Sequence, residues 1–169
     1  MTCMEGQNDI CARLMCAADG SALAELHRSA ILNTSSKFYS DSQRKSWATG
    51  LTTNGYMKAV QNGETIEVAV ATEDVPVAFC GRREFGITGL FVLPEWQGNG
   101  IGSFLLQRAE KALRKNGMSL LRVDAVLPAV SFYERHQYNL EEKRVHKTRG
   151  GVEIQILRMT KNILILNHT

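Results

Sequence analysis

The stretch LFVLPEWQGNGIGSFLLQRAEKALRKNG, residues 90–117, decides the fold. It passes from a β-rich segment through a loop holding Gly98, Gly100 and Gly102 into a long amphipathic helix. Alternating glycines ahead of a helix leave backbone N–H groups unshielded at the positive end of the helix dipole, which suits a phosphate. An ordinary helix-entry turn has no need of them, since each glycine costs backbone entropy. The helix shows itself in an apolar stripe of Leu105, Leu106, Ala109, Ala112 and Leu113, with Glu110 and Arg114 spaced to pair on the outside and Gly117 as the stop.

Working outward, residues 85–93, FGITGLFVL, read as the central strand that feeds the loop. Before it, TIEVAVAT and VPVAFCGRR form a strand pair hinged at Glu73-Asp74. Residues 10–16 predict a first strand, and residues 19–33 a helix with Asp19 or Ser21 as its cap. Ser40 stands three residues before Gln43, a capping box that opens a second helix and turns Trp47 inward. Asn54-Gly55 and Asn62-Gly63 bracket a short helical or irregular piece. After the long helix come a strand in SLLRVDAVL, a short helix in PAVSFYERH with Pro128 in its first turn, and two strands around Gly150-Gly151. The apolar run NILILNHT at the end reads either as a final edge segment or as residues appended to the domain.

Composition narrows the class. A chain of 169 residues, 44% apolar and 22% charged, is one domain, residues 1–169, with a real core. The net charge of +3, without long like-charge blocks, does not indicate nucleic acid. Apolar runs are too short for a membrane span. Cys3, Cys11, Cys16 and Cys80 form no CxxC pair and no zinc spacing with the histidines, and so read as reduced thiols in the cytoplasm, with no metal.

Three phosphate loops compete for residues 97–103. A Walker loop is excluded because no lysine follows Gly100 or Gly102. A dinucleotide fingerprint gains from Asp124 at the end of the next strand, but five residues, Leu93 to Gln97, separate strand from loop, and Ser103 occupies the third glycine position. The remaining pattern, Gln/Arg-x-x-Gly-x-Gly/Ala, is met by Gln97-Gly98-Asn99-Gly100-Ile101-Gly102. With PAVSFYERHQY downstream, the chain resembles the GNAT superfamily of acetyl-CoA-dependent N-acyltransferases. FYSDSQRKSW and RGGVEIQILRMTK are similar to segments of one bacterial branch.

The resemblance implies an α/β (α+β) fold: a twisted, mixed and mostly antiparallel sheet of six to seven strands, flanked by about four helices, with a splayed parallel pair at its centre. It implies acetyl transfer to a primary amine of a small molecule or peptide, acetyl-CoA (coenzyme A) as co-substrate, no metal, and the option of a homodimer. A non-catalytic acyl-CoA-binding module is the other reading of the same fold. Carried over residue by residue, Leu90, Phe91 and Val92 would hold the ligand, with the Leu90 N–H polarising the thioester carbonyl. Gln97, Gly98, Asn99, Gly100, Ile101, Gly102 and Ser103 would cradle the pyrophosphate. Tyr133 would be the general acid; as a phenol it is protonated at neutral pH. Phe38, Tyr39 and Trp47 would wall the acceptor pocket. For a base the family's carboxylate has no counterpart in FGITG; Glu84 is nearest, with His27 and His136 as titratable alternatives. Two positions depart from the family pattern: Gln137-Tyr138 replaces Gly-Phe, and Val126 replaces a polar residue.

Overall fold

The computed structural model describes residues 1–4 and 7–163, with the backbone alone for residues 7 and 8. Its order is β1 (Thr2–Met4), β2 (Gln7–Leu14), α1 (Gly20–Leu32), α2 (Asp41–Ala48), α3 (Thr53–Gln61), β3 (Thr65–Val70), β4 (Pro76–Arg83), β5 (Gly86–Val92), α4 (Ile101–Lys115), β6 (Leu120–Val126), α5 (Val130–Arg135), β7 (Asn139–Lys147) and β8 (Glu153–Asn162). The strands form one sheet ordered β1-β2-β3-β4-β5-β6-β8-β7, antiparallel throughout except between β5 and β6. This is the expected mixed α+β architecture, with eight strands and five α-helices among the described residues in place of six to seven and about four. The apolar tail lies, from residue 164 on, outside the described residues.

Local chemistry accounts for most boundaries. Ser40 Oγ accepts from Gln43 N–H at 3.2 Å while Gln43 Oε1 accepts from Ser40 N–H at 2.9 Å, so the capping box forms and opens α2. Thr52 Oγ1 caps α3 at Gly55 N–H, which places Asn54-Gly55 inside the first helical turn. Gly63, at φ 89°, ends the piece beyond α3. The β3–β4 connection holds Glu73 and Asp74 in left-handed geometry, φ 61° and 60°. It is tied down by Arg13, which reaches Asp74 at 2.7 Å and the buried Asp19 at 2.7 Å.

Packing covers both faces of the sheet's centre, so β3 is buried along nearly its whole length. Leu105, Leu106, Ala109 and Leu113 of α4 join Ala78, Cys80, Leu121 and Val123 in one core. On another, Leu23 and Leu26 of α1 and Tyr56 of α3 pack with Val68 and Phe79. Trp47 and Tyr39 meet Ile154 and Ile156 in a third.

Two expectations are corrected. Cys3 and Cys11 are not thiols but a disulfide, because β1, a strand absent from the sequence reading, sets Cys3 opposite Cys11 on β2; Cys16 and Cys80 are free. Glu110 does not pair with Arg114 outside α4. It turns toward the sheet, where Lys161 of β8 meets it at 2.8 Å.

The end of α5 explains the Gln137 departure. Gln137 and Tyr138 N–H groups return to Glu134 and Tyr133 carbonyls at 2.9 and 3.0 Å, with Gln137 at φ 67°. Glycine adopts this conformation freely, whereas an L side chain costs roughly 1–2 kcal/mol. Gln137→Gly is expected to stabilise the chain by up to about 1 kcal/mol, read as a rise of up to about 4 °C in Tm by calorimetry.

Candidate active site

The parallel pair touches at one end only. Gly86 pairs with Arg122 and Ile87 with Val123, and no further rung follows. A Cβ on Gly86 would come within 2.0 Å of the Arg122 carbonyl oxygen, so only glycine permits this contact. Beyond it β5 stays with β4 as far as Val92, and β6 stays with β8 as far as Val126. The two strands therefore part, leaving a gap in the middle of the sheet.

Backbone direction in that gap follows from the β4–β5 register. Leu93 N–H donates to Val77 O at 2.9 Å, one rung past the Val92 and Ala78 pair. Direction alternates along an antiparallel strand, so Phe91 and Gly89 bond toward β4 while Leu90 and Val92 direct their N–H and C=O groups into the gap. The Val92 carbonyl accepts there from Gln97 Nε2 at 3.1 Å.

The glycine loop stands at the open end of the gap. Gly98 and Gly100 have φ 79° and 78°, conformations that L side chains rarely adopt. Asn99 Nδ2 donates to the Trp96 and Gln97 carbonyls, closing the loop upon itself. The α4 ladder begins with Phe104 N–H to Gly100 O at 2.9 Å, so the N–H groups of Ile101, Gly102 and Ser103 have no partner within the helix. No side chain among the described residues caps this terminus. The result is a cluster of free donors at the positive end of a 15-residue helix. A Cβ at Gly102 would sit 3.4 Å from the Phe132 ring, so its absence keeps the space beside the loop open.

Two cavities flank the gap. The first, about 570 Å³, is walled by Leu90 to Val92, residues of the glycine loop, Pro128 and Phe132. The second, about 450 Å³, is walled by Thr88, Gly89, residues 123–126 of β6, His27, His146, Lys147 and Arg149. Both include Trp47, Leu90, Phe91, Val126, Ala129 and Tyr133. Tyr133 is 3% exposed, and burial, with the Cys80 thiol nearby, holds its phenol well above the ordinary value. No hydrogen-bond partner reaches its hydroxyl among the described residues. It is a protonated phenol at the junction of the two spaces.

The residues expected at the site divide. Leu90, Phe91, Val92, Gln97, Gly98, Gly100, Ile101, Gly102, Ser103, Tyr133 and Trp47 all line the first cavity, with Asn99 inside the loop. Glu84 is not brought there: it lies exposed in the β4–β5 turn, beyond the closed end of the gap. Tyr39 is buried as a clamp. Its hydroxyl donates to Gln155 O at 2.7 Å and accepts from Leu127 N–H at 2.9 Å. Phe38 packs beside it and lines neither cavity. His136 is held at the end of α5, its Nδ1 donating to Phe132 O at 2.8 Å. The sequence reading missed the basic residues of the second cavity, whose one signal was the run KTRGG around the β7–β8 turn.

His27 does line the second cavity. Tyr56 Oη donates to Leu23 O at 3.2 Å, so His27 Nδ1, 3.0 Å from that oxygen, is the donor to it. The tautomer leaves Nε2 as a lone pair, buried and without a partner among the described residues. Burial, reinforced by the charge of Arg149, pushes the His27 pKa down to about 3.

Comparison with known proteins finds this arrangement elsewhere. Residues 59–140 match the sequence model of the acetyltransferase (GNAT) domain. An Escherichia coli (strain K12) protein named uncharacterized N-acetyltransferase YafP is 29% identical over 144 residues, 85% of this chain and 91% of its own length. Among solved structures, a GCN5-related N-acetyltransferase from Rhodopseudomonas palustris superposes with a TM-score of 0.84 at 24% identity, over 90% of this chain and 95% of that one. The PaiA N-acetyltransferase of Thermoplasma acidophilum, solved in complex with coenzyme A, gives 0.68 at 23% identity, over 91% and 99%. Over residues 59–140 the chain is thus similar in sequence to the acetyltransferase (GNAT) domain, and its fold is that of the solved N-acetyltransferases.

A neutral buried His27 makes stability depend on pH. Its folded pKa lies below the unfolded value of about 6.5, so the unfolded chain binds the proton first as pH falls. The stabilisation is complete above about pH 6.5 and is lost as pH drops toward 3, with a slope of at most about 1.4 kcal/mol per pH unit. Urea unfolding between pH 4 and 8 should show the parent losing stability more steeply than His27→Gln in that window; parallel curves would mean that His27 is not neutral and buried.

Proposed function

We propose that the chain transfers an acetyl group from acetyl-CoA to a primary amine of a small molecule or peptide by direct attack, without a covalent enzyme intermediate. The observation that carries this reading is the pair of Leu90 and Val92 backbone groups facing an open gap in the sheet, next to a cluster of unbonded amides at the start of α4. The complex of the Thermoplasma relative with coenzyme A supports it.

The residues fit the donor in two places. Loop and first-turn N–H groups from Gly98 to Ser103 supply the converging donors that a pyrophosphate requires, and the missing side chains at Gly98 and Gly100 let it approach. Leu90 and Val92 offer main-chain groups to the extended arm, as a neighbouring strand would. At the thioester, the amine nitrogen attacks the carbonyl carbon and the Leu90 N–H holds the oxyanion that develops. When the C–S bond breaks, the thiolate takes the Tyr133 proton, which solvent restores. The amine sheds its own proton to water, a route that requires no carboxylate base from β5.

Tyr133→Phe removes a hydroxyl with little change in volume. Thiol release should fall by roughly 10²–10⁴-fold while acetyl-CoA affinity by calorimetry changes little. Turnover within about threefold of the parent would leave Tyr133 a packing residue.

Gly100→Asp tests the loop. Aspartate tolerates the left-handed conformation better than most residues, so the fold survives, but a carboxylate occupies the anion's place. Acetyl-CoA should then give no thermal stabilisation of the variant; undiminished binding would remove the loop from the site. Acetyl-CoA binding by the parent without thiol release across a panel of amines would favour the non-catalytic module.

A further inference from the structure

The second cavity has an unusual charge balance. Among the described residues its one carboxylate is Asp124, and that group is already engaged: Arg158 donates to it twice, at 2.8 and 3.0 Å, and Arg144 lies at 3.6 Å. His27 is neutral. Against this, Arg149 lines the cavity with no hydrogen bond and no ion pair among the described residues. Lys147 lines the same space, likewise without an ion pair among them.

Arg149 is also held in place rather than merely exposed. The β7–β8 turn that carries it is docked on the end of α2 through a buried pair, Ser46 Oγ and Thr148 Oγ1 at 2.6 Å. Gly150 N–H donates to Ser46 O at 3.1 Å, and a Cβ on Gly150 would lie 2.9 Å from the Ser46 backbone. On the other side the aliphatic stem of Arg149 rests against Gly50, where a Cβ would meet its Cδ at 3.2 Å. The turn and the stem of Arg149 are thus held, while its guanidinium, on an exposed residue, has no partner among the described residues; such a fork matches a carboxylate or phosphonate in charge and geometry.

Resting on the acetyl-transfer reading, we propose that the acceptor is an amine bearing an anionic group, a carboxylate or phosphonate, which Arg149 seats in the second cavity while the amine points to the gap. A diamine or polyamine is selected against, since its distal ammonium would meet Arg149 and Lys147 with no free carboxylate to offset them.

The test compares matched acceptors on the full chain: β-alanine and 2-aminoethylphosphonate against ethylamine and putrescine, and phenylalanine against phenethylamine, by thiol release with saturating acetyl-CoA. The anionic members should lead by at least about tenfold in kcat/KM, a charge-assisted, two-point contact being worth ~10–100-fold. Arg149→Met should raise KM for the anionic acceptors by the same factor, leaving KM for acetyl-CoA and the rates with ethylamine unchanged, and Arg149→Lys should recover part of the loss. Faster transfer to putrescine or ethylamine, or an equal effect of Arg149→Met on amines without an anionic group, overturns the proposal. Should no amine be acetylated, calorimetry with the same compounds decides: binding of the anionic members alone, abolished by Arg149→Met, upholds the anion seat, and no preference between members overturns it. Failure to bind coenzyme A is a separate result, which strikes the acetyl-transfer reading and not the seat.

Discussion

Everything at this site depends on a sheet that is closed at one point and open beyond it. At Gly86 the backbone of β5 lies so near Arg122 that no side chain fits, and the parallel pairing is spent within two rungs. Because β4 and β8 hold the outer edges of the two strands, the parting produces no collapse. It leaves main-chain groups of Leu90 and Val92 without strand partners, in a place where a folded protein ordinarily pairs them. A buried polar group without a partner is costly, so the gap is matched to a ligand that brings its own donors and acceptors.

The glycine loop then adds charge selectivity to this shape. In the reaction we propose, its amides receive the pyrophosphate at one end of the gap, and the Arg149 turn receives the acceptor's anion at the other side. Between them stand apolar residues, Leu90, Val126 and Ala129, and the buried phenol of Tyr133, which lines both cavities. The site has positive poles at its ends and an apolar centre; in the acetyl transfer we propose, that low-dielectric centre would strengthen the Leu90 N–H at the reacting carbonyl.

Legibility in the sequence followed the range of the interactions. Helix α4, the α2 capping box and the Glu73-Asp74 hinge are set by residues within a few positions of one another, and each was read from the sequence. The loop's shape was readable for the same reason, its glycines supplying the left-handed conformations of Gly98 and Gly100. What escaped depends on distant partners. Glu110 has a helix neighbour of the right spacing, yet Lys161 takes it from across the core. Tyr39 carries no mark of a hydroxyl bonded to Gln155 and Leu127. Arg149 and His27 reach one cavity only because the β7–β8 turn docks on α2, a contact between residues over 100 positions apart. The Cys3–Cys11 link was missed because a three-residue strand gives too short a pattern to read.

The outermost strands bear on how the molecule behaves in a crowd. An open sheet exposes a row of unpaired backbone groups at each side, a template for adding further strands. Here one border is only three residues long, too short to template much. The other, β7, is exposed nearly throughout and carries Glu141, Glu142, Lys143 and Arg144 in succession. A second β7 laid alongside would strip the hydration of this charged run in either direction, and in parallel register would also set like charges against one another. Both borders therefore resist strand-by-strand growth, and the central opening can persist without the sheet becoming a seed for aggregates.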